Sequence, residues 1–157
     1  MRMDIDTTDL EILSLLIKNS RIPFSQIAKK LGLGESTVYT RIKKLKRLGV
    51  LRGFTAEVDL SRVGLESEAI LEIKPQPGSM RLIIDSLVRR RSVIEVDEVS
   101  GEYPIHARIA ARDNRELCKR IDEIYSISGV MDMKIKYVLR RVSVKGRGDV
   151  LSRILQA

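Results

Sequence analysis

The chain has 157 residues, a net charge of +8 and a hydrophobic fraction of 43%; that allows one domain or two small ones and excludes a disordered chain. One cysteine and one histidine exclude an internal disulfide and a Cys/His zinc site. No apolar run is long enough to cross a bilayer, and the N-terminus has no apolar signal core, so a membrane role is excluded and a reducing cytoplasm is expected.

The first predicted helix opens at Thr8. Thr8 and Glu11 have capping-box spacing, and Asp6 and Asp9 suit the positive end of a helix. Leu10, Leu13, Leu16 and Ile17 recur on one face. Pro23 introduces a second, shorter helix with Phe24, Ile27, Ala28 and Leu31 inside. It stops at Gly32-Leu33-Gly34, a glycine turn of the kind that joins a helix-turn-helix pair. A third helix runs from Glu35 or Ser36 to Leu48 on Val38, Ile42 and Leu45.

Residues 21–52 hold nine Lys and Arg (Arg21, Lys29, Lys30, Arg41, Lys43, Lys44, Lys46, Arg47 and Arg52) against one acid, Glu35. An isolated basic helix is more often a solvated face. The short helix and glycine turn before this one favour a DNA-recognition helix. Neutralising phosphates releases condensed counterions and supplies most non-specific affinity. Ser36, Thr37, Tyr39 and Thr40 are the candidates to meet base edges or phosphates, with Thr37, Tyr39 and Thr40 the base-reading ones. Lys43, Lys44 and Arg47 suit phosphates, and Arg41 suits a phosphate or a brace within the unit. After Gly49, Val50–Val58 reads as a strand leaving the helical unit, and Ser61–Gly64 as a turn.

The remainder alternates strand and helix patterns. Strands are expected at Ala69–Lys74, Val93–Val99, Ile105–Ala111 and Met131–Val144. Ser79 should cap the helix bearing Leu82, Ile83, Leu87 and Val88. Asp113 or Asn114 should cap a helix with Leu117, Ile121, Ile124 and Tyr125 inside, ended by Gly129. Cys118, beside Leu117 and Ile121, reads as core, and His106 as a structural or surface residue of its strand. The order βαββαβ is a ferredoxin-like arrangement, so the fold class is α+β. Helices should cover one sheet face. Leu71, Ile73 or their neighbours, with alternate residues of Met131–Leu139, should bury on the other against a second copy. The expected divisions are 1–49 for the helix-turn-helix, 50–64 for a linking strand and turn, 65–144 for the sheet domain and 145–157 for a tail. In the tail, Asp149 could cap a short helix bearing Val150, Leu151, Ile154 and Leu155.

Several fragments in this order resemble the Lrp/AsnC family of transcription regulators. They are Asp6-x-x-Asp9-x-x-Ile12-Leu13, Ile27-Ala28-x-x-Leu31-Gly32-Leu33, Ser36-Thr37-Val38-x-x-Arg41-Ile42-x-x-Leu45-x-x-x-Gly49-Val50, Ser100-Gly101, Gly129-Val130 and Val138-Leu139. Their order and spacing together are specific, and the resemblance covers roughly residues 4–144. The resemblance implies a winged-type helix-turn-helix joined by a strand to a ligand-sensing domain. It implies double-stranded DNA as partner, dimers that pair through their sheets, and higher oligomers such as octamers. It also implies an amino-acid effector near the turn between the second and third strands, here Gly101-Glu102-Tyr103-Pro104.

Two departures stand out against that family. Pro104 replaces a frequent acid, and Met133 and Ile135 replace frequent threonines at the start of the last strand. These side chains offer neither a charge for a ligand ammonium nor a hydroxyl for its carboxylate. Glu102 could supply a charge instead. Weak, millimolar amino-acid binding or none is therefore expected. Three other readings compete. An RNA-binding βαββαβ module is rejected, because Ile105–Ala110 offers no aromatic for stacking. An amino-acid-binding regulatory module leaves the basic helices unexplained. An effector-independent architectural DNA-binding protein differs only in lacking a response. No nucleophile motif, Walker loop or dinucleotide fingerprint is present, so no catalysis and no cofactor are expected.

Overall fold

The computed structural model describes residues 5–140 and Val142. The elements are α1 Thr7–Lys18, α2 Phe24–Leu31, α3 Glu35–Arg47, β1 Ser67–Pro75, α4 Met80–Val88, β2 Val93–Glu98, β3 Ile105–Ala111, α5 Asn114–Tyr125 and β4 Val130–Tyr137, with a short 3-10 turn at Ser61–Val63. Two compact units part between Glu57 and Val58, inside the 50–64 connection. The short helix expected in 145–157 lies outside the described residues.

In the first unit, α1 opens on a different cap from the one expected. The Asp6 carboxylate accepts the Asp9 backbone N–H at 2.8 Å, and the Asp9 carboxylate accepts the Asp6 N–H at 3.3 Å. Thr8 and Glu11 have the same spacing. A carboxylate pair also gains from the positive helix end, which a hydroxyl does not. The core joins Ile12, Leu13 and Leu16 to Ile27 and Ala28 of α2 and to Val38, Ile42 and Leu45 of α3. Ile12, absent from the expected α1 stripe, is fully buried at its centre. Gly32 closes α2 in the left-handed region at φ 65°, and Leu33 N–H reaches back to Ala28 C=O at 2.9 Å. A side chain there would strain the turn that sets α3.

Val50–Val58 is not a strand. A strand needs a hydrogen-bonded neighbour, and no segment of the described chain pairs with this one.

In the second unit one four-stranded antiparallel sheet runs β2-β3-β1-β4. Alternation along each strand decides what each face carries. Ala69, Leu71 and Ile73 of β1, Ile105, Ala107 and Ile109 of β3 and Met133 of β4 join Ile83 and Leu87 of α4 and Leu117, Ile121 and Ile124 of α5 in one core. Leu71, Ile73 and Met133 therefore serve the fold's own core, which overturns their expected place on the uncovered face. Tyr125 is exposed rather than part of the α5 stripe, and so is Cys118, which meets the Tyr137 hydroxyl.

Strand β4 ends at Tyr137, short of the expected Met131–Val144: residues 138–140 leave the sheet, and Val144 lies outside the described residues. Ala69 pairs Tyr137, and Val138 N–H makes a last bond to Glu68 C=O at 2.9 Å. Ser79 stands at the start of α4 but makes no side-chain cap. It packs where a Cβ on Gly129 would fall, so that position, at φ 91°, admits only glycine without rearrangement.

The uncovered sheet face is charged. Glu72 lies across from His106 and Lys134, and Ile70 across from Arg108 and Lys136. Lys136 bonds Glu72, and Arg108 lies 3.7 Å from Glu68 and 3.6 Å from Glu95. The expectation of an apolar second face is thereby corrected. The alternation that fills one face with Leu71 and Ile73 fills the other with charges.

Candidate nucleic-acid interface

Helix α3 packs through Val38, Ile42 and Leu45, all essentially buried. With about 3.6 residues per turn, the opposite ridge is Ser36, Thr40, Lys43 and Arg47, and all four are exposed. The Thr40 hydroxyl donates to Ser36 C=O at 2.9 Å, which fixes its rotamer. Thr40, Lys43, Lys44 and Arg47 line one shallow concavity. Thr37 and Tyr39, both exposed, flank the ridge, and the Tyr39 ring lies 6.4 Å from that of Phe24. The ridge combines hydroxyls towards the N-terminus of the helix with cations towards its end.

Two of the basic residues are turned elsewhere. One nitrogen of the Arg41 guanidinium lies 2.7 Å from an Asp6 carboxylate oxygen and 2.9 Å from Asp9. The Lys44 ammonium lies 3.0 Å from the other Asp9 oxygen. Asp9 is fully buried. Burial alone pushes its carboxyl up, but hydrogen bonds from Arg41, Lys44 and the Asp6 N–H outweigh that and hold it below its usual 3.8. Asp6 is lowered as well, chiefly by the Arg41 bond. Arg41 thus links α3 to Asp6 and Asp9 at the start of α1. Lys46, also basic, has its ammonium 5.0 Å from the Phe54 ring centre, a cation–π contact.

The second place of interest is the turn between β2 and β3. Val99 N–H bonds Pro104 C=O at 2.8 Å, and Gly101 takes φ 127°, open to glycine alone at no cost. The Lys74 ammonium meets Glu102 at 2.9 Å, and the Tyr103 hydroxyl donates to Asp132 at 2.5 Å. Lys134 sits over the Tyr103 ring, 3.9 Å from its centre. The Asp132 bond, with burial, pushes the Tyr103 phenol up to about 12, and the Lys74 bond holds Glu102 below its usual 4.5.

The side chains gathered at this turn are thus Lys74, Glu102, Tyr103, Asp132 and Lys134. Met133 and Ile135 have the opposite parity on β4: Met133 is in the helix-side core, and Ile135 pairs Leu71 on that same side. They do not join the turn. Sequence reasoning missed Lys74, Asp132 and Lys134. The signal was the two-residue period of β4, which puts neighbours of Met133 on the other face.

No cluster of three or more metal-ligating side chains occurs among the described residues. None of their helices is long and apolar enough to cross a membrane.

Residues 5–52 match the family model for winged helix-turn-helix DNA-binding, and residues 68–147 the Lrp/AsnC ligand binding domain. The chain is 39% identical over 128 residues to an uncharacterised HTH-type transcriptional regulator of Pyrococcus furiosus, covering 82% of this chain and 86% of that one. It is 36% identical over 140 residues to the HTH-type transcriptional regulator FL11 of Pyrococcus abyssi, covering 89% and 93%. In fold it is similar to a transcriptional regulator of Neisseria meningitidis solved as an L-Met complex, with a TM-score of 0.81, 22% identity and coverage of 89% and 93%. The chain belongs to the Lrp/AsnC family of helix-turn-helix transcriptional regulators.

Proposed function

We propose that this regulator binds specific DNA sequences as a homodimer or higher assembly, such as an octamer, in the cytoplasm, with two copies of α3 in successive major grooves of a pseudo-palindromic site. The observation that carries this reading is the exposed ridge Ser36, Thr40, Lys43 and Arg47 opposite a fully apolar inner face. Thr40 and its flanking neighbours Thr37 and Tyr39 read bases; Lys43 and Arg47 neutralise phosphates. Replacing Lys43 with Ala tests the phosphate role. Binding to specific and random duplexes should weaken alike. If Lys43→Ala binds both as the parent does, α3 does not face the DNA.

For the effector, we infer an amino acid held at the turn cluster. The ligand-binding family match over residues 68–147 and the L-Met complex of the Neisseria protein support this reading. Lys74 with Glu102 and Tyr103 with Asp132 are already paired. A zwitterion must displace at least one of these pairs and leave no charge unmatched. Binding is therefore weak, in the millimolar range, about −4 kcal/mol, and a basic or polar ligand held by Glu102 is favoured. Calorimetry with the common amino acids tests it: Glu102→Gln should weaken whatever binds. A micromolar apolar ligand insensitive to Glu102→Gln would contradict the charge assignment.

A further inference from the structure

Nine Lys and Arg crowd residues 21–52, yet the geometry sorts those of α3 into two kinds. Lys43 and Arg47 lie exposed on the outward ridge. Arg41 and Lys44 point back across the helix pair to Asp9, whose carboxylate has no exposed surface. Each Asp9 oxygen accepts from one of them, at 2.9 and 3.0 Å, and Asp6 takes a second share of Arg41. Two acids thus cancel two bases at the α1–α3 contact.

We propose that Asp9 is a positioning residue of the recognition helix, tying Arg41 and Lys44 to α1 and thereby removing both cations from the set that neutralises phosphates. This rests on the reading of α3 as the DNA-facing helix. The physical reason is the asymmetry of a buried pair. If Lys44 swung out to a phosphate, it would leave half of a desolvated carboxylate unmatched, and an exposed phosphate in salt water would not compensate. Lys43 and Arg47, exposed on the ridge, face no such cost. A count of basic residues in α3 therefore overstates its electrostatic footprint, and Lys44, grouped with Lys43 by sequence, belongs to the scaffold.

The test uses the full chain and two readouts that separate scaffold from phosphate contact. Affinity for a random-sequence duplex is measured by fluorescence anisotropy over a range of salt, and thermal unfolding is followed in parallel. Each phosphate neutralised contributes about 0.9 to the slope of log affinity against log salt. Lys43→Ala should flatten the slope by about 0.9 for each copy of α3 on the duplex and leave the unfolding temperature near that of the parent. Lys44→Ala should do the reverse: lower the unfolding temperature and keep the slope. Should Lys44→Ala fail to fold, the double variant Asp9→Asn with Lys44→Met leaves no unmatched charge at the buried site, because Asp6 still pairs Arg41. It should keep the parent slope. A slope flattened by either Lys44 variant as much as by Lys43→Ala overturns the positioning role while leaving α3 as the DNA helix. No salt-dependent duplex binding by the parent overturns both.

Discussion

Glu116 shows how one side chain couples charge to fold. It accepts the Arg112 backbone N–H and the Arg112 guanidinium, both at 3.1 Å, and pairs Arg120 at 3.1 Å. These partners, led by the Arg112 N–H, hold its carboxyl at about 2, down from 4.5. The folded value is depressed, so the stabilisation is complete above the unfolded value of 4.5 and is lost as pH falls towards about 2. Glu116→Gln should lower the urea midpoint at neutral pH and shrink its fall between those two values. A midpoint that falls as steeply in the variant would mean that other carboxylates carry the acid response. Asp9 behaves with the same sign in the first unit, since its folded value also lies below the usual 3.8.

Among elements, β1 is the informative case, because its two faces serve different ends. Leu71 is fully buried under the helices. Leu71→Ala should cost about 2–5 kcal/mol of stability, as buried large-to-small changes do, read from denaturant unfolding. Ile70 sits on the charged face opposite Arg108 and Lys136. If two sheets pair through that face, Ile70→Asp should halve the mass seen by light scattering while circular dichroism stays unchanged. An unaltered mass would move the dimer interface elsewhere.

The elements were largely legible in the sequence, since glycine turns and apolar periods are local signals. The helix-turn-helix and βαββαβ order followed from them. What failed were choices that depend on a neighbour: whether Val50–Val58 has a strand to pair with, where β4 parts from β1, and which of two equally spaced boxes caps α1. The sites follow the same rule. Ser36, Thr40, Lys43 and Arg47 lie where the helical period of Val38, Ile42 and Leu45 puts them. The engagement of Lys44 by Asp9 joins residues thirty-five positions apart, and no local pattern announces it. The turn residues Gly101–Pro104 were found as a loop, whereas Lys74, Asp132 and Lys134 reach it only through sheet register.

For the whole molecule, the central claim is that an assembly of this chain presents paired α3 ridges to DNA and reads it. The direct measurement is selection from a randomised duplex pool, followed by affinities of the enriched and scrambled duplexes for the parent and for Thr40→Ala. The enriched sequences should contain two related half-sites in inverted orientation, spaced by about one helical turn (roughly 34–36 Å) or a multiple of it. Thr40→Ala should reduce the preference for the enriched duplex by about 1–3 kcal/mol and leave the affinity for the scrambled duplex as it was. A pool that enriches no sequence, or a Thr40→Ala protein that discriminates as well as the parent, would contradict the account.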